Sequence, residues 1–303
     1  MKLATTTGDF SGYNVSQFDS LRYIREAGFR YADYNFHLDY LRGDGVYLKD
    51  FEHYFAAIRE HSEKIGIKLV QAHAPMGDPI GSEQCLDNSH FIRDTLRCVD
   101  AAGAFGVENL VIHSGYRMGI SKEECFRENR EFFLKILERA ERFGLNILVE
   151  NFNKMCIDGM FWIDNARDLF DFIEYVDHPL LHGVWDVGHA NLQRMAQEDE
   201  IRILGSHLKA LHIQDNDGTK DDHLTPFLGT LDLDSVLRGL AEVGYDGYFT
   251  FEVGRVFRKR DENKDLSQAS PLRSAPLQLK RAWEGYLYEL GKCILEAYGK
   301  FEC

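Results

Sequence analysis

The chain has 303 residues, 44% hydrophobic and 28% charged, which is ordinary globular material outside the disordered range. Its formal net charge of −14 argues against nucleic acid or an acidic membrane as partner, since both need Lys and Arg to neutralise phosphates. No apolar run could span a bilayer, and Met1–Asp9 has no apolar signal core, so a cytoplasmic protein is expected. Cys85, Cys98, Cys125, Cys156, Cys293 and Cys303 form no CxxC pair, which indicates neither a structural zinc site nor a disulfide frame.

Strand-like and helix-like segments alternate along the chain. Lys2–Thr6 reads as a strand and Gln17–Ala27 as a helix stopped by Gly28. Phe29–Phe36 follows as the second strand, then a helix over Asp50–Ile65 with Asp50 placed to cap it and Gly66 to stop it. Ile67–His73 is the third strand and Asp87–Phe105 a helix. Val107–His113 is the fourth strand. The capping box Ser121-Lys122-Glu123-Glu124 opens a helix that reaches Phe143-Gly144. Leu145–Glu150 is the fifth strand, Asn165–Tyr175 a helix, Leu181–Asp186 the sixth strand, and Asp199–Leu204 a short helix. Leu208–Ile213, a helix over Asp232–Val243, Tyr248–Val253 and a final helix over Gln278–Tyr298 complete the series. Eight strand–helix units in this length predict a (β/α)8 TIM barrel of the α/β class. A doubly wound open sheet is the alternative; it rarely needs eight parallel strands, and no Gly-rich phosphate loop follows the first one. We expect a single domain, with the barrel over about residues 1–256 and a loop and C-terminal helical extension over about 257–303.

Four apolar runs in the second half each end on a residue able to bind a metal: Ile147–Glu150, Val184–Asp186, Leu208–His212 and Phe249–Glu252. Runs this apolar are buried strands, and a carboxylate or imidazole placed last on one does not fill a core. Active sites of such barrels form at the carboxyl ends of the strands, so Glu150, Asp186, His212 and Glu252 are expected to converge. Three carboxylates and one imidazole suit one divalent ion, Mn²⁺, Mg²⁺, Co²⁺ or Zn²⁺. Such an ion can clamp two neighbouring sugar oxygens and polarise a carbonyl, and the proton on the adjacent carbon becomes acidic. Glu150 and Glu252, on the fifth and eighth strands, can then remove and return that proton from opposite sides. His73 and His113 close the third and fourth strands, as further ligands, substrate contacts or hydrogen-bonding wall residues. His189 follows the sixth strand. Asp221 and His223 stand in the loop after the seventh, either solvated or in the site.

The motifs Val149-Glu150-Asn151, Asp186-Val187-Gly188-His189, His212-Ile213-Gln214-Asp215 and Phe251-Glu252 resemble the xylose-isomerase-like TIM barrels. This superfamily holds sugar and sugar-phosphate isomerases and epimerases together with the endonuclease IV family, and the resemblance runs from Lys2 to about Val253. For the ketose 3-epimerase branch it implies that Glu150, Asp186, His212 and Glu252 hold one divalent ion. It also implies that the two Glu form the acid–base pair and that His189 holds the substrate. For the endonuclease IV branch it implies a multi-zinc hydrolase, with two or three zinc ions among His73, His113, Glu150, Asp186, His189, His212, Asp221, His223 and Glu252. All nine positions carry suitable residues, but the acidic composition disfavours DNA as substrate. A keto-polyol dehydratase, or a binding protein that lost the chemistry, are the other readings.

The expected partner is a small sugar or polyol. Phe10, Tyr13, Tyr34, Phe36, Tyr116, Trp162 and Trp185 are the aromatics expected near the mouth, Trp162 being the best substrate-wall residue and Trp185 equally explicable as packing. Arg255, with Arg258, Lys259 and Arg260, could face a phosphate or carboxylate of the substrate or only solvent. The polar stretch Arg258–Pro276 reads as the loop after the eighth strand, a lid or a subunit contact, and the tail beyond it as a contact element of a homo-oligomer.

Overall fold

The structure is a computed structural model that describes residues 1–13, 15–77, 79–80, 88–153, 160–254 and 275–302. The elements in order are β1 (Lys2–Thr6), α1 (Gln17–Ala27), β2 (Tyr31–Asn35), α2 (Phe36–Arg42), α3 (Phe51–Ile65), β3 (Lys68–His73) and α4 (Asn88–Phe105). Then come β4 (Asn109–Ile112), β5 (Arg117–Met118), α5 (Lys122–Ala140), β6 (Asn146–Glu150), β7 (Met160–Phe161), α6 (Ala166–Val176) and β8 (Leu181–Asp186). The last are α7 (Val187–Leu192), α8 (Gln197–Leu204), β9 (Leu208–His212), α9 (Leu233–Glu242), β10 (Tyr248–Phe251) and α10 (Leu277–Ala297).

Eight strands pair in parallel in the order β10-β1-β2-β3-β4-β6-β8-β9. The ring closes just beyond the last two strand ends. There the Ile213 N–H donates to Thr250 O at 2.8 Å and the Glu252 N–H to Ile213 O at 3.0 Å. This is the predicted TIM barrel, not an open sheet. Side chains alternate along a strand, so residues two apart share a face. Val111, Leu148, Val184 and Ala210 form a small buried cluster of their own inside the barrel. Two residues further along the same strands stand His113, Glu150, Asp186 and His212, one layer nearer the mouth. The intervening residues, such as Ile112, Val149, Trp185 and Leu211, point outward into the large core shared with the helices.

Local signals act largely as read. Ser16 accepts the Asp19 N–H to cap α1, and Gly28 ends it at φ 119°, a conformation L side chains avoid. The Ser121 hydroxyl accepts the Glu124 N–H while Glu124 Oε2 accepts the Ser121 N–H, both at 3.2 Å, so the capping box opens α5. Asp50 precedes α3 but its side chain makes no cap hydrogen bond, because its backbone (φ −104°, ψ 51°) is outside the extended conformation a cap requires. The helix expected to reach Phe143-Gly144 ends at Ala140. Two short helices, α2 and α7, were not expected. Each starts directly on a strand end, capped by that end's own side chain: Asn35 accepts the His37 N–H and Asp186 the His189 N–H. The C-terminal helix α10 seats on the barrel wall at Gly291, where a Cβ would come within 2.6 Å of the Phe251 ring and 2.7 Å of Leu3. No helix among the described residues is long and apolar enough to cross a membrane. Cys98 and Cys125 are buried and in no disulfide, while Cys85, Cys156 and Cys303 lie outside the described residues.

Candidate active site

Glu150 is the hub of the mouth. Its Oε2 is 3.2 Å from His73 Nε2 and 3.1 Å from His113 Nε2; its Oε1 is 3.0 Å from His212 Nδ1 and 3.6 Å from His189 Nδ1. Burial alone would push this carboxyl up, but the surrounding imidazoles, His212 and His113 first, hold it well below the usual carboxylate range. Glu252 stands one residue past β10, with Oε2 3.6 Å from His212 Nδ1 and 3.8 Å from His223 Nδ1. Asp186 Oδ1 accepts the His189 N–H at 2.7 Å, so one oxygen caps α7; its other oxygen, Oδ2, is buried with no hydrogen-bond partner among the described residues. Burial pushes Asp186 up to about 6.

Among the described residues, three groups of side chains could hold a cation, each with ligand atoms within 4.8 Å of one another: Glu150, Asp186, His212 and Glu252; His73, Glu150 and His212; and His189, Asp221 and His223. The expected set of four is thus brought together, and Asp221 and His223 come in with His189 rather than facing solvent. His223 Nε2 is 3.2 Å and His189 Nε2 3.7 Å from Asp221 Oδ2. Against the effect of burial, His223 and His189 hold the Asp221 carboxyl far below its ordinary value. The mixed oxygen and nitrogen donors, and the unpartnered Asp186 Oδ2, fit a divalent ion of the borderline-to-hard class.

Gln214 ties the groups together, its Nε2 donating to Asp186 Oδ1 at 3.3 Å and to Asp221 Oδ1 at 3.0 Å. It passes so close beneath α7 that a Cβ on Gly188 would lie 2.1 Å from its side chain. Asn151 accepts the Asp186 N–H at 2.7 Å and donates to Asp186 O at 3.0 Å, which locks β8 to the end of β6. Gln214, Asp33 and Gln71 were missed from sequence; the available signal was a polar side chain inside an otherwise buried strand or directly after one.

Of the expected aromatics, Tyr34 and Phe36 pack with Phe55 and Phe105 in the core behind β2, because both point outward, and Trp185 is buried with Nε1 donating to Gln197. Phe10 is also fully buried, and Tyr13 packs against the core. Trp162 is sandwiched between Phe152 at 4.0 Å and Tyr116 at 4.1 Å. The ring that reaches the ligand residues is Phe152, 4.8 Å from His189 and 5.2 Å from His113. An antiparallel β5–β7 pair carries this stack's outer edge. Arg255, Arg258, Lys259 and Arg260 lie outside the described residues, as does most of the stretch read as a lid.

The electrostatics set a pH dependence. Burial opposes charge on His212, but Glu150 and Glu252 overcome it and hold the imidazolium to about 10; Asp221 does the same for His223, to about 9. These folded values lie above the ordinary 6.5, so the pairing stabilises the metal-free protein fully below pH 6.5 and is lost as pH rises through 9–10. A cation must displace those protons. We therefore expect affinity for a divalent ion to rise steadily from pH 6.5 to 9, with proton release visible as buffer-dependent heats in calorimetry. A pH-independent affinity would contradict this.

An eight-stranded parallel barrel with an acidic and imidazole-rich mouth places the chain among the TIM barrels. A family model described as xylose isomerase-like TIM barrel matches residues 21–271, and the chain belongs to that family. Fructoselysine 3-epimerase of Escherichia coli O157:H7 is 29% identical over 124 residues, 39% of this chain and 42% of the relative. The solved D-psicose 3-epimerase with D-tagatose from Clostridium cellulolyticum H10 superposes with a TM-score of 0.73 at 16% identity, covering 97% of this chain and 99% of that one. An AP endonuclease family 2 protein from Brucella melitensis superposes at 0.66 with 18% identity, over 84% and 93%.

Proposed function

We propose that the protein is a metal-dependent isomerase or epimerase of a sugar or sugar derivative. The observation that carries this is the approach of Glu150 and Glu252 to one imidazole nitrogen, His212 Nδ1, from separate strands at 3.0 and 3.6 Å. Epimerases of small sugars among the relatives support the substrate class. A divalent ion held by Glu150, Asp186, His212 and Glu252 would supply Lewis-acid polarisation of the substrate carbonyl. Between the two Glu, one carboxylate takes the proton from the carbon beside the carbonyl and the electron pair moves toward the carbonyl oxygen. The other carboxyl returns a proton to the opposite face, inverting the carbon. His73 Nε2 lies 3.2 Å from Glu150 Oε2, and Glu150 favours its protonated form against burial, so His73 is placed to relay a proton to that carboxyl. Phe152 offers a flat wall for the apolar face of the sugar.

A second reading, an endonuclease IV-like multi-zinc hydrolase, is favoured by one observation: His189, Asp221 and His223 form a separate group fit for a cation. In the epimerase reading His189 is instead a substrate contact. Metal analysis of the purified protein discriminates the two. One ion per chain, with inversion of a ketose and uptake of solvent deuterium beside its carbonyl, is the expected result. Two or three zinc ions, with cleavage of abasic-site DNA, would overturn it in favour of the hydrolase.

A further inference from the structure

Three histidines of the mouth have Nδ1 tied to a backbone carbonyl, which leaves Nε2 as the other nitrogen. His73 Nδ1 meets Ala74 O at 2.7 Å, His189 Nδ1 meets Asn151 O at 2.9 Å, and His223 Nδ1 meets Glu252 O at 2.9 Å. Such a tie fixes which nitrogen is left to act as a ligand. His212 has a different arrangement. Its Nδ1 faces Glu150 and Glu252, so Nε2 points down into the barrel, where it meets the Gln71 side-chain amide at 2.9 Å and Asp33 Oδ2 at 3.8 Å. The same amide donates to Asp33 Oδ2 at 2.7 Å.

Asp33 and Gln71 sit two residues below the ends of β2 and β3, in the interior layer that β4, β6, β8 and β9 fill with Val111, Leu148, Val184 and Ala210. An apolar residue would continue that layer. A carboxylate there is costly to bury, and Asp33 Oδ1 has no hydrogen-bond partner among the described residues. Asp33 belongs to none of the groups among the described residues that could hold a cation. The observation left to account for both is their shared contact with His212.

We infer that Asp33 and Gln71 are positioning residues that set which nitrogen of His212 faces the site. The inference rests on the proposed cation site and adds to it residues that never touch the ion. An imidazole that offers the Nδ1 lone pair carries its proton on Nε2, and that N–H needs an acceptor. The Asp33 carboxylate is the acceptor in this layer, because turning the Gln71 amide would set its oxygen against Asp33 Oδ2. A carboxylate behind the ring also makes the imidazole a stronger donor to a metal. The Gln71 amide nitrogen meets both groups and so holds the ring and Asp33 in reach of each other.

The test is Co²⁺ binding to metal-free wild type, Asp33→Leu and Asp33→Asn, by calorimetry and by the visible absorption of the bound ion, with thermal melting of each metal-free protein. Leu continues the apolar layer, so the metal-free melting point is expected to hold or rise. Affinity is expected to fall about 10–100-fold with a changed absorption spectrum, and Asn, which keeps an acceptor oxygen, to recover part of both. Wild type that binds Co²⁺ while Asp33→Leu binds as tightly with the same spectrum overturns this inference alone. Wild type that takes up no ion removes the cation site and this inference together.

Discussion

Glu252→Gln is expected to lower turnover of the sugar by about 10²–10⁴-fold, the usual contribution of a positioned acid–base group, with the fold unchanged. The structural work at this position is done by the backbone: the Glu252 N–H donates to Ile213 O and its carbonyl accepts from His223 Nδ1. Gln is isosteric and leaves both bonds in place. Its amide cannot take a proton from carbon. Glu150→Gln should lose as much activity and most of the bound cation as well, because Glu150 contacts His73, His113, His189 and His212 and belongs to two of the three ligand groups. Glu252 also belongs to one of those groups, so proton transfer is read in metal-loaded protein and cation binding is read separately. Deuterium uptake beside the substrate carbonyl, followed by NMR in D₂O, reads the first, and metal analysis reads the second. Exchange that persists in metal-loaded Glu252→Gln would end its assignment as a base.

The barrel was legible because its signal is repeated and local. Apolar runs of strand length, separated by capped helices, can be counted, and Ser121, Glu124 and Gly28 mark their boundaries as expected. The convergence of Glu150, Asp186, His212 and Glu252 was legible for a related reason: a charged residue at the end of a buried run has no structural excuse until its partners are known. Asp33 and Gln71 escaped because they lie inside strands, where one polar residue is indistinguishable from a satisfied core group; what assigns them is the 2.9 Å approach of Gln71 to His212, a residue 141 positions away in sequence. Tyr34 and Phe36 were placed at the mouth by nearness to a strand end, but a one-residue step flips the face, and both point away from the barrel axis. The helices α2 and α7 are too short to show a period. They exist because Asn35 and Asp186 cap them, which gives Asp186 two duties: one oxygen fixes the chain after β8, and the other is free for a ligand.

Lys280→Ala is expected to cost about 3–5 kcal/mol of folding stability, the range for breaking a buried ion pair from one side. Lys280 is 2% exposed, its ammonium pairs with Glu284, lies 3.9 Å from Asp9 Oδ2 and sits 5.4 Å from the centre of the Phe10 ring. Burial already pushes the Asp9 carboxyl up to about 8, with Lys280 the chief opposing influence. Because that value lies above the ordinary 3.8, the folded chain binds the extra proton, and stability falls as pH rises from 3.8 through 8. Without Lys280, the chief influence opposing burial at Asp9, that window extends upward, so the loss should be smaller at pH 5 than at pH 8. Replacing both partners, as Lys280→Met with Glu284→Leu, should recover most of the loss, since the penalty comes from the stranded charge rather than from a missing attraction. Denaturant unfolding of wild type, Lys280→Ala and the double variant at both pH values decides it. A single-variant cost under about 1 kcal/mol, or a double variant no better than Lys280→Ala, would show that the cluster carries no such charge. Activity should move with stability here: Asp9 Oδ1 accepts the Val253 N–H at 3.0 Å, so the cluster that anchors α10 also fixes the backbone next to Glu252.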